Sequence, residues 1–203
     1  MRFYFIIFLT IASSITEPLF AQDTITFLNG KVIIGNDVDS DDSNTFYTVS
    51  KNGKSKRKVI ETINLFSVKY ANNTIDTLYS TNLERDFILT PYEMHLFILG
   101  EQDAKVYFKP NLNALGGFAF GATLGYVLHD GFYVAGIPLV YTVASGVSRI
   151  NVKNVGNRPF DVLTHPAYQE GFIKVARAKK SFYALVSSTV GTIIGAYIGH
   201  LKP

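Results

Sequence analysis

Residues 191–199 read G-T-I-I-G-A-Y-I-G, and residues 117–125 read G-F-A-F-G-A-T-L-G. Each run is uncharged and returns to glycine at every fourth position. Residues four apart in an α-helix stack almost one above another. Gly191, Gly195 and Gly199 therefore line one groove, and Gly117, Gly121 and Gly125 line a second. In water each such glycine costs about 1 kcal/mol relative to alanine. In lipid the alternative to helix is unpaired backbone, so that cost does not unfold the segment. A bare groove then admits a second backbone, with gains from dispersion and Cα–H···O contacts. The two stretches read as membrane helices that pack on each other or on copies of themselves, with Ser187 and Ser188 extending the small face.

The flanks set their extent. Residues 111–128 carry no charge, nor do 132–148, and His129-Asp130-Gly131 separates them. A membrane helix needs about 20 apolar residues, with about 17 near the minimum. The expectation is a membrane-embedded helical hairpin over 111–148 and a C-terminal glycine-zipper helix over 181–203. Pro138 is expected to kink the second arm and free a carbonyl near Val134. His129 and Asp130 form the polar tip. Ionisable groups at membrane depth are often functional, but Gly131 completes ordinary turn chemistry here.

Between hairpin and last helix, residues 149–180 carry Arg149, Lys153, Arg158, Lys174, Arg177, Lys179 and Lys180 against Asp161 and Glu170. This segment reads as a basic loop followed by an amphipathic interfacial helix, with Tyr168, Phe172, Val175 and Ala176 on its apolar side. The positive-inside rule would place it in the cytoplasm. Two crossings by 111–148 would instead return it outside, facing anionic lipid. The second arrangement is the one adopted.

Residues 1–21 have the plan of a cleavable Sec signal: Arg2, an apolar run from Phe3 to Ile15, and a polar stretch ending at Ala21. An exported β domain is expected over 22–89, with five or six short strands separated by Asn29-Gly30, Asn52-Gly53 and Asn72-Asn73 turns. At Asn29-Gly30 a two-residue hairpin turn would need positive φ at both residues. The spacing suggests a small barrel or rolled sheet. The basic run from Lys51 to Lys58 reads as a solvated hairpin tip and edge protection, in preference to a polyanion patch. Phe27-Leu28-Asn29-Gly30, with Gly35 and the aspartates that follow, resembles the first motif of Sm-like, SH3-type small barrels. No second Sm motif follows, so the resemblance implies a fold and no RNA-reading residues. A connecting helix over 90–110 opens on a capping box, Thr90-Pro91-Tyr92-Glu93. His95, Glu101 and Asp103 on it do not share a face at metal-ligand spacing.

Composition narrows the function. Cysteine is absent, which removes disulfides, thiolate metal sites and cysteine catalysis. Charged residues are only 17 % of the chain, and a net charge of +3 does not argue for nucleic acid. No nucleophile elbow, P-loop, zincin or dinucleotide motif is present. The glycine stretches resemble the glycine-zipper segments of bacterial envelope proteins. The whole plan resembles uncharacterised exported bacterial proteins with a signal, a small β domain and an apolar C-terminal half. The expectation is an α+β chain: a small N-terminal β-barrel or rolled sheet, then a membrane-embedded helical hairpin and a C-terminal helix. Its expected role is a non-enzymatic cell-envelope membrane protein with no cofactor. Its expected partners are membrane lipid and either further copies or partner membrane helices, not nucleic acid. Its expected place is the bacterial inner membrane with the β domain in the periplasm. The alternatives are a channel or transport subunit, and a soluble secreted binding protein.

Overall fold

The computed structural model describes residues 22–51, 53–82, 88–129, 131–152, 155 and 158–201. The signal-like segment 1–21, Asn52 and Asp130 lie outside the described residues. The chain is α+β and forms two compact units. Residues 22–27 and 32–79 make the first, and residues 28–31 and 80–201 the second.

The first unit is a six-stranded antiparallel sheet: β1 (Asp23–Phe27), β2 (Val32–Ser40), β3 (Asn44–Lys51), β4 (Lys54–Glu61), β5 (Leu65–Lys69) and β6 (Ile75–Thr77). The strand order is β4-β3-β2-β1-β5-β6. The edge strands β4 and β6 are not paired to each other, so the expected barrel is not closed; the sheet is open. Ile25, Tyr47, Leu65 and Val68 form its core, with Phe27, Ile33, Val38, Val49, Ile60, Tyr70 and Leu78 packed around them.

Local chemistry explains the bends. β2 breaks register with β3 between Asn36 and Asp39, where Asp37 has a φ of +53°. The Val38 N–H beside this break donates to Asp23 Oδ2 at 3.1 Å, and the Ala71 N–H donates to Asp23 Oδ1 at 2.8 Å. One nearly buried carboxylate thus ties the bend in β2 to the turn after β5. At the first turn only Gly30 is left-handed, with φ +70°. The turn is a loop closed by Asn29 Oδ1, which accepts from the Lys31 N–H at 3.0 Å, and not the expected two-residue type. β4 lies at a sheet edge and exposes Lys54, Lys56, Arg57 and Lys58, the charge pattern that discourages edge-to-edge pairing.

The second unit is helical: α1 (Pro91–Tyr107), α2 (Asn111–Val127), a 3-10 turn (Phe132–Gly136), α3 (Ile137–Val147), α4 (Phe160–Thr164) and α5 (Pro166–His200). α1 opens as its sequence directs. The Glu93 N–H donates to Thr90 Oγ1, and the Thr90 N–H donates back to Glu93 Oε2 at 2.9 Å. Pro138 starts α3 instead of kinking a longer helix. The carbonyl expected to be free there is not: Val134 O accepts from the Ile137 N–H, because a 3-10 turn leads into the helix. The interfacial and C-terminal segments are one continuous helix of 35 residues, so nothing breaks at Lys180–Ser181. At 1.5 Å per residue, α5 is about 52 Å long.

Candidate functional site

The six zipper glycines lie on the seam where α2 and α5 meet, and all six are buried. A Cβ built on Gly121 would overlap the Ser188 carbonyl oxygen and come within 2.9 Å of the Thr192 nitrogen. One on Gly125 would overlap the Thr192 carbonyl oxygen. From the other side, Gly191 faces the Phe118 carbonyl oxygen, Gly195 that of Ala122, and Gly199 that of Tyr126. The grooves are filled by each other's backbone. Gly117 faces Ala184 and Ser187, whereas Gly199 faces Tyr126 and His129, so the two helices run parallel.

Such an approach places Cα–H groups against oxygens, a contact worth about 0.5–1 kcal/mol. Thr192 shows the geometry. Its buried hydroxyl has no hydrogen-bond partner among the described residues, and it sits 2.9 Å from where a Cβ on Gly121 would be. A Cα hydrogen of Gly121 therefore points towards it.

α3 returns antiparallel beside this pair. Asn113 Nδ2 donates to Ser145 Oγ at 2.6 Å, and the Tyr141 hydroxyl donates to Asn113 O at 3.0 Å. Further along, the Phe120 and Tyr141 rings lie 5.4 Å apart. The α2–α3 hairpin thus starts and ends at one level.

A second glycine crossing joins α1 to the N-terminal half of α5. A Cβ on Gly171 would overlap the Phe97 carbonyl oxygen, and one on Gly100 would overlap that of Tyr168. Ala104, Phe172 and Ala176 bury beside it. Gly100 and Gly171 each stand alone in sequence, with no repeat to mark them. A longer pattern marks Gly171. Small residues at 167, 171, 176, 184, 188, 191, 195 and 199 form one buried stripe along α5. The charged pair Lys179-Lys180 interrupts the apolar pattern in sequence without interrupting the stripe.

Polar latches fix the α1–α5 crossing. Asp103 accepts from Arg158 Nε at 2.9 Å and Nη2 at 3.0 Å, and from the buried Tyr168 hydroxyl at 2.9 Å. The hydrogen bond to Asp103 holds the Arg158 guanidinium above its ordinary pKa. Lys174 pairs with the buried Glu101 at 2.9 Å. Glu101 and Asp103 are thus each engaged by a cation. Among the described residues no group of three or more His, Asp or Glu gathers as a metal site.

Two neighbouring lysines close helix ends. Lys179 Nζ donates to the carbonyls of Ala104, Lys105 and Phe108, the last turn of α1 and the residue after it, at 3.3, 2.7 and 3.2 Å. Lys180 is buried and donates to both Ser148 O, at 3.2 Å, and Ser148 Oγ, at the end of α3. Cations suit these positions because unpaired carbonyls give a helix C-terminus its partial negative charge. At the opposite end of the bundle His129 is half-buried, with its Nδ1 3.0 Å from Tyr126 O. Asp130, the other half of the expected polar tip, lies outside the described residues.

The outer faces are apolar. Leu112, Phe132, Tyr133 and Val147 are each at least 79 % exposed. Val140 and Val143 on α3 and Val190, Ile193 and Tyr197 on α5 are also open. By length and composition α5 is long and apolar enough to cross a membrane; Phe132–Val147 is a shorter apolar helical stretch.

No family model, curated protein or solved structure matches the chain.

Proposed function

We propose that the chain is a non-enzymatic membrane protein of the bacterial cell envelope. Its glycine-zippered helices anchor an exported β unit in the inner membrane, and their outer faces meet lipid and partner helices or further copies. The observation that carries this reading is an inverted distribution of side chains. Around the α2–α5 seam the interior holds glycine, serine and threonine, while Leu115, Val140, Val186, Ile193 and Ile198 face outward. Burying large apolar side chains is what stabilises a fold in water. Here close backbone packing does the joining, as it must where lipid removes the hydrophobic drive between helices. The soluble secreted alternative would leave the open apolar faces of α2, α3 and α5 in water, whereas a soluble monomer rarely exposes a large contiguous apolar patch. The channel alternative finds no room between α2 and α5, which meet backbone to backbone. The glycines act inside one chain, so assembly with copies or partners would use the outer faces.

Residues 181–200 of α5 rise about 30 Å and α2 about 26 Å, against a hydrocarbon core of about 30 Å; α3 alone rises about 16 Å and reaches about 26 Å only with the 3-10 turn before it. The path is then three crossings, in and out by the hairpin and in again by α5. The absence of cysteine makes the test direct. Single cysteines at Ser55, Asn151 and Leu201, all exposed, would be probed on intact cells with an impermeant maleimide. Ser55→Cys and Asn151→Cys should label on intact cells, and Leu201→Cys only after lysis. Labelling at all three sites, with release of the protein by carbonate, would overturn the membrane reading.

A further inference from the structure

Lys179 and Lys180 do more than close helices. Through their carbonyl partners they bring the end of α1, the end of α3 and one turn of α5 to a single level. Lys105, Lys109, Arg149 and Arg177 belong to the same level by sequence, and all four are exposed. Six cations therefore band the bundle immediately above its uncharged section. No Asp or Glu occurs in 104–129, 131–152 or 171–201. The carboxylates of Glu101 and Asp103, which precede the band on α1, are buried and paired with Lys174 and Arg158. The far end, around His129 and His200, carries by sequence a single cation, Lys202, against six in the band.

We propose that this band binds the headgroups of anionic phospholipids and so selects lipid on one leaflet. The inference rests on the membrane reading above and adds the chemistry of the lipid. Cations held over a surface of acyl-chain length meet a phosphate whose tails can lie along the apolar helices. A soluble polyanion would not use that second surface. Each lysine or arginine near an anionic membrane surface favours binding by about 1 kcal/mol, or about fivefold. The attraction falls off within a Debye length, about 10 Å at 0.1 M salt.

The full chain would be reconstituted in mixed phosphatidylcholine and phosphatidylglycerol, extracted with mild detergent, and its retained lipid quantified. The expected result is several-fold enrichment of phosphatidylglycerol over the bulk ratio, reduced at high salt. The variant Lys105→Gln, Lys109→Gln, Arg149→Gln and Arg177→Gln should retain lipid at close to the bulk ratio. It spares Lys179 and Lys180, so the helix ends stay closed, and circular dichroism checks its fold. A control with Lys54, Lys56, Arg57 and Lys58 changed to glutamine removes the same charge from the sheet edge and should keep the enrichment. Lipid retained at the bulk ratio by the wild type, or equal enrichment in band and edge variants, overturns the proposal and leaves the membrane reading standing. A wild-type chain that carbonate releases from the vesicles overturns both.

Discussion

Replacing Gly121 with alanine adds one methyl group where the Ser188 carbonyl oxygen already sits. Ordinary van der Waals contact begins at 3.4 Å, and the added carbon would also lie 2.9 Å from both Thr192 N and Thr192 Oγ1. Two of these three neighbours are backbone atoms of a helix, so no rotamer change relieves the overlap. The helices must separate. Overpacking of this kind costs about 1–3 kcal/mol, and a backbone obstacle places it towards the upper end. Alanine returns at most about 1 kcal/mol of helix propensity. The net expectation for Gly121→Ala is a loss of about 1–2 kcal/mol. Gly195→Ala meets Ala122 O and Tyr126 N on the same stretch of seam and should cost a similar amount. A double variant should cost less than the sum, because helices already parted for one methyl accommodate the next. Gly136→Ala is the matched control, since a Cβ there meets nothing within 4 Å. The chain has no tryptophan, so unfolding by SDS in mild detergent would be followed by far-ultraviolet circular dichroism. If Gly121→Ala is as stable as Gly136→Ala, or if the two seam variants add fully, the close-packing argument fails.

Other outcomes follow from the latches and the cap. Tyr168→Phe leaves Asp103 with both Arg158 donors and should cost about 1 kcal/mol. Asp103→Ala strands the buried Tyr168 hydroxyl and unpairs a partly exposed arginine, for a loss of about 2–3 kcal/mol in the same unfolding assay. Equal effects of the two would remove Asp103 as the hub. The Thr90 backbone N–H, and then the Thr90 hydroxyl, hold the Glu93 carboxyl below its ordinary pKa. That contribution to α1 is full above the unfolded glutamate value and is lost as pH falls through the lowered folded value. Acid titration of helicity should show this loss in the wild type and not in Glu93→Gln.

What could be read from sequence was local or periodic. The capping box at Thr90–Glu93, the turns at Gly30, Gly53 and Asn73, and the four-residue glycine spacing each act over a few residues. Barrel closure was not legible, because it depends on whether strands far apart in sequence meet at the edges, and β4 and β6 do not. The Asp103 latch was hidden for the same reason: its partners lie 55 and 65 residues away. Gly100 and Gly171 are single glycines with no repeat, and only their meeting gives them a role. Pro138 was read as a kink within an assumed helix, whereas its fixed φ suits a helix start. Lys179 and Lys180 were read as the edge of a membrane segment, although both cations serve carbonyls within the unit.

The dependence of the bundle on α5 bears on how the chain is made. Synthesis runs from α1 to α5, so the grooves of α1 and α2 emerge long before the backbone that fills them. Until then Gly100, Gly117, Gly121 and Gly125 present bare helix with no backbone against it. The last helix closes α1, α2 and α3 together, because each packs more extensively on α5 than on any other helix. A ribosome that stops before α5 releases a chain whose helical half keeps only the α2–α3 contacts, and such a product should be cleared rather than accumulate.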